Sequence, residues 1–261
     1  MFPAVPYSPY IIGSLRWYSV LIVGAIILAM MLCGREEKRL RLPEDTVLDI
    51  SLLALPLGII GARLYYVLFQ WEYFARDPLA ILRIWEGGLA IYGGIIGGAV
   101  SVLIIARVKK VNPLTLMDMI VPTVALAQAI GRWGNYFNME AYGPVITNPA
   151  WQFFPAGVLI PDDTGAHAWH MATFFYESMW NLMVFAVLWF VIRKRKQHEG
   201  VIVLWYALLY GAGRSIIEGL RTDSLLISGL RVSQVLSLGL SVAAAVILLV
   251  IHLRNQRNRE A

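Results

Sequence analysis

The chain has 261 residues, of which 58% are hydrophobic and only 15% charged, with a mean hydropathy of +0.63. A soluble domain carries about 25% charged residues, so this composition excludes an ordinary soluble protein and predicts an integral membrane protein. The net charge of +5 comes from loops between apolar runs and is read as membrane topology, with no nucleic-acid partner.

Seven runs approach the ~20 apolar residues that a membrane-crossing helix needs: Leu15 to Leu32, Thr46 to Phe69, Leu89 to Ala106, Leu114 to Gly131, Phe174 to Ile192, Val201 to Ile217, and Val232 to Leu253. The expected fold is all-α, a polytopic membrane protein with seven transmembrane helices forming one domain over residues 1–261. Segments 70–88 and 132–173 are expected to form an irregular polar and aromatic cap on the outer face.

Met1 to Ser14 has no basic n-region and no small-x-small cleavage site, so it is not read as a secretory signal. Tyr18 follows Arg16 and Trp17 at the start of the first span, where a tyrosine either anchors at the interface or touches a headgroup. Cys33 is the only cysteine, which excludes an internal disulfide and reads as a buried thiol. Arg63 lies deep in the second span. Beyond it, Gln70 to Gly88 holds Trp71, Tyr73, Phe74 and Trp85, a mixture suited to the headgroup region. Glycines then cluster where the third span starts: Gly93 with Gly97 and Gly94 with Gly98 are small-xxx-small pairs that permit close helix packing. They would also leave room for a lipid headgroup beside Tyr92.

The fourth run ends in Gly131-Arg132-Trp133-Gly134-Asn135-Tyr136-Phe137-Asn138-Met139-Glu140, with Gly143 just beyond. This is the most informative stretch of the chain. A central arginine costs roughly 2.5–3.5 kcal/mol on insertion scales, and such residues mark functional sites more often than fold requirements. The long segment that follows carries Pro144, Pro149, Pro155 and Pro161, which argue against a long helix, and four large aromatics, Trp151, Phe153, Phe154 and Trp169. His170 and Glu177 bracket the start of the fifth span; His167 reads as loop. In the sixth span Tyr210, Arg214 and Glu218 stand at i, i+4 and i+8, with Arg221 at i+11, along one stripe.

Basic residues set the expected orientation. Gly34 to Asp45, Arg107 to Asn112, Arg193 to Glu199 and Arg254 to Ala261 hold 14 of the 22 Lys and Arg, and they alternate with the other connections. By the positive-inside rule the N-terminus lies outside and the C-terminus in the cytoplasm. Arg63 stands 14 residues after Asp49, roughly 21 Å along a helix, and Arg132 and Arg214 reach a similar depth in the outer half. Three guanidinium groups at one depth predict an anion site, most simply for phosphate, which their planar fork binds bidentately. The competing reading is interhelical ion pairing with Glu140, Glu218 and Asp223. The sequence offers no Cys/His spacing for a metal, no glycine-rich phosphate loop and no Gly-x-Ser-x-Gly elbow, so neither metal nor cofactor is expected.

Together these residues resemble the bacterial prolipoprotein diacylglyceryl transferase family. The pattern Gly-Arg-x-Gly-Asn-aromatic-x-Asn-x-Glu over Gly131 to Glu140 looks like its signature. Supporting matches are Arg16-Trp17-Tyr18, Gly61 to Tyr66, Trp85 to Gly98, His170 to Glu177, Tyr210 to Arg221, and Arg231-Val232-Ser233-Gln234. The resemblance implies an inner-membrane enzyme that moves the diacylglyceryl group of phosphatidylglycerol onto the lipobox cysteine of a preprolipoprotein signal peptide, releasing glycerol phosphate. Membrane lipid and exported peptide would be its partners, and the active site would open to the outer leaflet. Arg132 and Arg214 would hold the phosphate and stabilise developing charge. Asn135, Asn138 and Tyr18 would orient the headgroup, and Glu140 and Glu218 would position the arginines. Gly134, Gly143, Tyr210, Arg221, Arg63 and His170 complete the expected substrate-binding set. Some members carry histidine where this chain has Tyr92, and that histidine is a candidate base. Tyrosine, with an ordinary pKa near 10, is a poorer one unless nearby arginines lower it. Two roles stay open: Tyr92 as the base, or Tyr92 orienting substrate while Glu140 or solvent takes the proton.

A transporter or flippase for an anionic lipid would also use membrane arginines, but near the midplane and reachable from both sides. The crowding of polar residues in one half of the spans favours an enzyme, as it does over a scaffold of the secretion pathway.

Overall fold

The computed structural model describes residues 8–161, 166–196, 198–222, 226–227 and 230–260. Asp223, expected as an ion-pair partner, lies outside them. Each apolar run is a helix: the first span is Trp17–Leu40, the second Thr46–Phe69, the third Ile91–Lys109 and the fourth Pro113–Asn138. The fifth is Thr173–Arg195, with a π-helical stretch over Val187–Ile192; the sixth is Val201–Glu218 and the seventh Val232–Glu260. Among the described residues these seven are long and apolar enough to cross a membrane. The expected all-α polytopic class is the observed one.

The helices overrun the apolar runs, because leaving hydrocarbon does not oblige a chain to stop making helical hydrogen bonds. The first span continues through the basic stretch to Leu40 and ends against Arg41, at φ 53°; the fourth carries Arg132 and Asn135 as helical residues and ends against Met139, also at φ 53°. A left-handed residue is what usually closes a helix at this point.

Contacts gather into two compact units, one holding the chain up to Ala29 with Ile120–Ala261, the other Met30–Met119. In the second of these, the second and third spans meet backbone to backbone. A Cβ added at Gly93 would stand 2.1 Å from the Gly61 carbonyl oxygen, and one at Gly97 2.1 Å from that of Leu57. Only one of the two expected glycine pairs makes this seam. A Cβ at Gly94 would meet nothing closer than 3.7 Å, and Gly98 has nothing within 4 Å. The space at Gly93 and Gly97 is therefore filled by the neighbouring helix and is not left for a headgroup. Past the second span, residues 70–88 form short turns over a small cluster of Val67, Phe74 and Ala80. Leu79, Leu82 and Trp85 remain exposed.

In the other unit, the fourth, fifth and sixth spans share a core of Ala125, Val184, Leu188 and Ile202. The sixth and seventh approach closely at Gly211, where a Cβ would stand 2.6 Å from the Ser237 carbonyl. The long connection after Asn138 is not wholly irregular. It holds an antiparallel hairpin, Gly157–Pro161 against His167–Met171, with Val145 bridged to His170 on the other side. The hairpin's Val158 and Ile160 pack with Tyr136, Ala172 and Phe174, which fixes the hairpin to the ends of the fourth and fifth spans.

Candidate active site

Arg132 and Arg214, on different spans and 82 residues apart in sequence (214 minus 132), meet at one carboxylate. Glu177 of the fifth span accepts Arg132 Nη2 on Oε1 at 2.7 Å, and faces Arg214 Nη1 with both oxygens, at 2.9 and 2.8 Å. Arg214 Nη2 pairs in turn with Glu218 Oε2 at 2.7 Å, one turn along its own helix. Glu177 and Glu218 are 2% and 3% exposed. Two guanidinium groups this close would repel without the shared carboxylate. Two acids against two bases balance in charge, which is what makes four charges tolerable inside apolar helices.

The pairing does not exhaust the arginines. Each guanidinium has five N–H donors. Arg132 uses one on Glu177 and one on Asn135 Oδ1, at 3.3 Å; its Nε and one hydrogen on each terminal nitrogen remain. Arg214 keeps Nε and one hydrogen of Nη2. These donors from two helices can converge on the oxygens of a phosphodiester.

A second carboxylate organises the amides. Glu140 Oε1 accepts Asn135 Nδ2 at 2.7 Å and Asn138 Nδ2 at 3.2 Å, and so aims Asn135 Oδ1 at Arg132. The backbone folds back to allow this. Met139 and Ala141, on either side of Glu140, have φ of 53° and 58°, and left-handed conformations at residues other than glycine cost about 1–3 kcal/mol each. The Glu140 N–H then returns to the Asn135 carbonyl at 3.1 Å. Glu140 thus holds the asparagines and not, as expected from sequence, the arginines.

The remaining expected residues of this unit line the surroundings. Tyr18 packs its ring edge against Gly134, where a Cβ would stand 2.3 Å from Cδ2, and the adjacent Trp17 stacks on Phe137 at 5.0 Å. Tyr210 stacks on Tyr206 at 5.2 Å. Gly143 is hemmed in by the Leu220 carbonyl, Met171 and Thr173, and its carbonyl meets His170 Nδ1 at 2.8 Å. Arg221 departs from the expected stripe, because the sixth span ends at Glu218 and Arg221 sits in the turn beyond, its N–H on the Glu218 carbonyl at 3.2 Å. Arg231 hydrogen-bonds the same carbonyl through Nη1.

The comparison with known proteins decides the family. A model of the prolipoprotein diacylglyceryl transferases matches residues 9–250. The chain belongs to the prolipoprotein diacylglyceryl transferase family. A phosphatidylglycerol–prolipoprotein diacylglyceryl transferase of Streptococcus mutans is 44% identical over 244 residues, covering 93% of this chain and 92% of its own. Namesakes from Streptococcus agalactiae and Limosilactobacillus reuteri are each 42% identical, over 256 and 246 residues, covering 97% and 93% of this chain and 96% and 89% of theirs.

Two features of this member of the family depart from what the sequence leads one to expect. Arg63, in the other unit, is not poised for an anion. Its five donors all reach backbone carbonyls of the loop beyond the second span: Nε to Ile81 at 2.9 Å, Nη1 to Gly87 and Gly88 at 2.7 and 2.9 Å, and Nη2 to Ala80 and Arg83 at 2.6 and 3.3 Å. Its guanidinium also lies 5.0 Å from the Phe74 ring centroid. Arg63 is a loop anchor with no donor left for phosphate. Tyr92, also of that unit, is exposed and 6.1 Å from the Tyr65 ring. The second difference is Glu177, to which the sequence pattern assigns no role. The signal was available: it is the only acid in an otherwise apolar fifth span, and an acid within a span faces the bundle interior and pairs with an available base.

Proposed function

We propose that this chain transfers the diacylglyceryl group of phosphatidylglycerol to the lipobox cysteine of preprolipoproteins; the names of its relatives supply the lipid, the prolipoprotein and the transfer. The observation that carries this reading is the Arg132–Glu177–Arg214 bridge with unused donors on both arginines. Such a pair can grip a phosphodiester and stabilise the second negative charge that its oxygen gains as the glyceryl carbon departs, in a medium where each hydrogen bond counts for more than in water. Asn135 and Asn138, fixed by Glu140, orient the headgroup. Tyr18, Gly134, Tyr210, Gly143 and Arg221 shape its surroundings. Glu218 holds Arg214 in place. Because the four basic segments alternate with the loop-rich connections, the Arg132 end of the spans faces the outer leaflet of the bacterial inner membrane, with the N-terminus outside and the C-terminus in the cytoplasm. Lipid and exported signal peptide both reach that side.

The test is direct. Purified protein incubated with phosphatidylglycerol and a lipobox peptide should yield a peptide heavier by one diacylglyceryl group, detected by mass spectrometry. Arg132→Ala should slow this by about 10²–10³-fold, as the loss of one charge-stabilising donor does elsewhere. An unmodified peptide from folded wild-type protein would remove the proposal.

A further inference from the structure

We propose that His170 is the base that takes the proton from the incoming thiol, an inference that rests on the reaction assigned above. In that reaction the sulfur forms a bond to the glyceryl carbon as the carbon–oxygen bond to phosphate breaks. Glycerol phosphate leaves with the electron pair, and the thiol proton has to go to an acceptor. Attack and departure are in line, so sulfur and phosphate stand on opposite sides of the carbon. With a near-attack separation of about 3 Å and a base within about 3 Å of the sulfur, that base belongs roughly 8 Å from the phosphorus. It is a neighbour of the arginine pair and not a member of it.

The two carboxylates beside the arginines are committed, and the third of the site is engaged through one oxygen. Glu177 and Glu218 are in guanidinium pairs, and Oε1 of Glu140 accepts two amides. His170 differs. Its Nδ1 lies 2.8 Å from the Gly143 carbonyl oxygen. A carbonyl only accepts, so Nδ1 carries the hydrogen, and in the neutral ring the lone pair is on Nε2. The ring is held against Tyr142, the titratable side chain that touches it, at 4.6 Å between centroids. Its backbone is paired on both sides, with Val158 and Val145. The imidazole is therefore oriented with its basic nitrogen set.

It stands where the spans that carry the site end. Gly143, to which it bonds, is where the ends of three spans converge. The Gly143 N–H donates to the Met171 carbonyl at 2.9 Å, just before the fifth span; Thr173 Oγ1 donates to the Ala141 carbonyl at 2.6 Å. Thr222, past the sixth span, donates to the Tyr142 carbonyl at 3.2 Å. The fourth, fifth and sixth spans deliver Arg132, Glu177 and Arg214. His167, at the other end of the strand, is exposed and paired opposite Pro161, and has no such anchor among the described residues.

His170→Asn tests this. The Asn amide nitrogen stands in for Nδ1 and keeps the bond to Gly143, while the accepting nitrogen is gone. Turnover is measured with a cysteine lipobox peptide and with its selenocysteine counterpart, whose selenol is already ionised at neutral pH. The variant should lose about 10²–10⁴-fold in kcat with the cysteine peptide, keep its KM for phosphatidylglycerol, and recover most of the loss with selenocysteine. Full activity on cysteine overturns the proposal, and so does an equal loss with both nucleophiles. If the Asn variant does not fold, His170→Gln is put through the same pair of peptides and judged the same way. Wild-type protein that modifies neither peptide would instead sink the reaction itself.

Discussion

Glu177→Gln is the substitution that most directly examines the arginine pair. The carboxylate receives three contacts of 2.7–2.9 Å from two guanidinium groups. Glutamine keeps one acceptor oxygen, but it turns an NH2 group toward donors and removes the negative charge. The quartet then holds two cations against Glu218 alone. Removing one partner of a buried pair costs about 3–5 kcal/mol, and here two pairs share the lost charge. The substitution therefore should lower thermal stability measurably. Its effect on turnover should be larger than its effect on binding. Without the Glu177 carboxylate, Arg132 regains one donor and Arg214 up to two for an anion, so the KM for phosphatidylglycerol should stay level or fall. The guanidinium groups are no longer registered to one another, and misplacing a stabilising group by about 1 Å costs on the order of 10²-fold in rate. Steady-state kinetics at varied lipid, with product read by mass spectrometry, separates the two effects. A variant with wild-type kcat and wild-type melting would refute the claim that this carboxylate sets the geometry. A large rise in KM with kcat intact would show that Glu177 helps to bind the lipid and does not align the arginines.

Arg63→Gln should destabilise without weakening lipid binding. Five carbonyl contacts shrink to at most two, and with hydrogen bonds to a charged group worth about 1.5–3 kcal/mol each, residues 78–88 should exchange amide hydrogens faster while the KM for phosphatidylglycerol changes little. A tenfold rise in KM with unchanged exchange would return Arg63 to the phosphate. Gly97→Ala should lower the melting temperature, since its Cβ would be 2.1 Å from the Leu57 carbonyl oxygen, whereas Gly98→Ala meets nothing within 4 Å and should be neutral or stabilising by up to about 1 kcal/mol; equal melting of the two variants would contradict the seam. Tyr92→Phe should retain turnover within about an order of magnitude, as for a hydroxyl that orients substrate and takes no proton, and a loss of 10²-fold or more would restore it as the base.

The seven helices were legible because lipid leaves a chain no alternative. Every buried peptide group has to be satisfied within its own segment, so long apolar runs and helices coincide. The ends of the helices were less legible. Arg132, Asn135 and Asn138 are polar yet helical, and what stops the fourth span is the left-handed turn at Met139, which hydropathy does not register. The hairpin over His167–Met171 was hidden by the prolines around it.

The arginines show where reading depth along a helix stops being informative. Arg63, Arg132 and Arg214 were grouped because residue counting put them at one level, and level says nothing about azimuth or about what else is within reach. A guanidinium can be satisfied by an anion, by a carboxylate on another helix, or by carbonyls of a loop, and all three look alike in sequence. The deciding quantity is the number of donors left over. Arg63 has none, because residues 80–88 supply five carbonyls to it. Arg132 and Arg214 have several, because a single carboxylate, 45 residues from one and 37 from the other, holds both without saturating either. Charge balance gets part of the way: an acid alone in an apolar span must face a base. Which base it faces, and which hydrogens that leaves for a substrate, is a property of the packed helices.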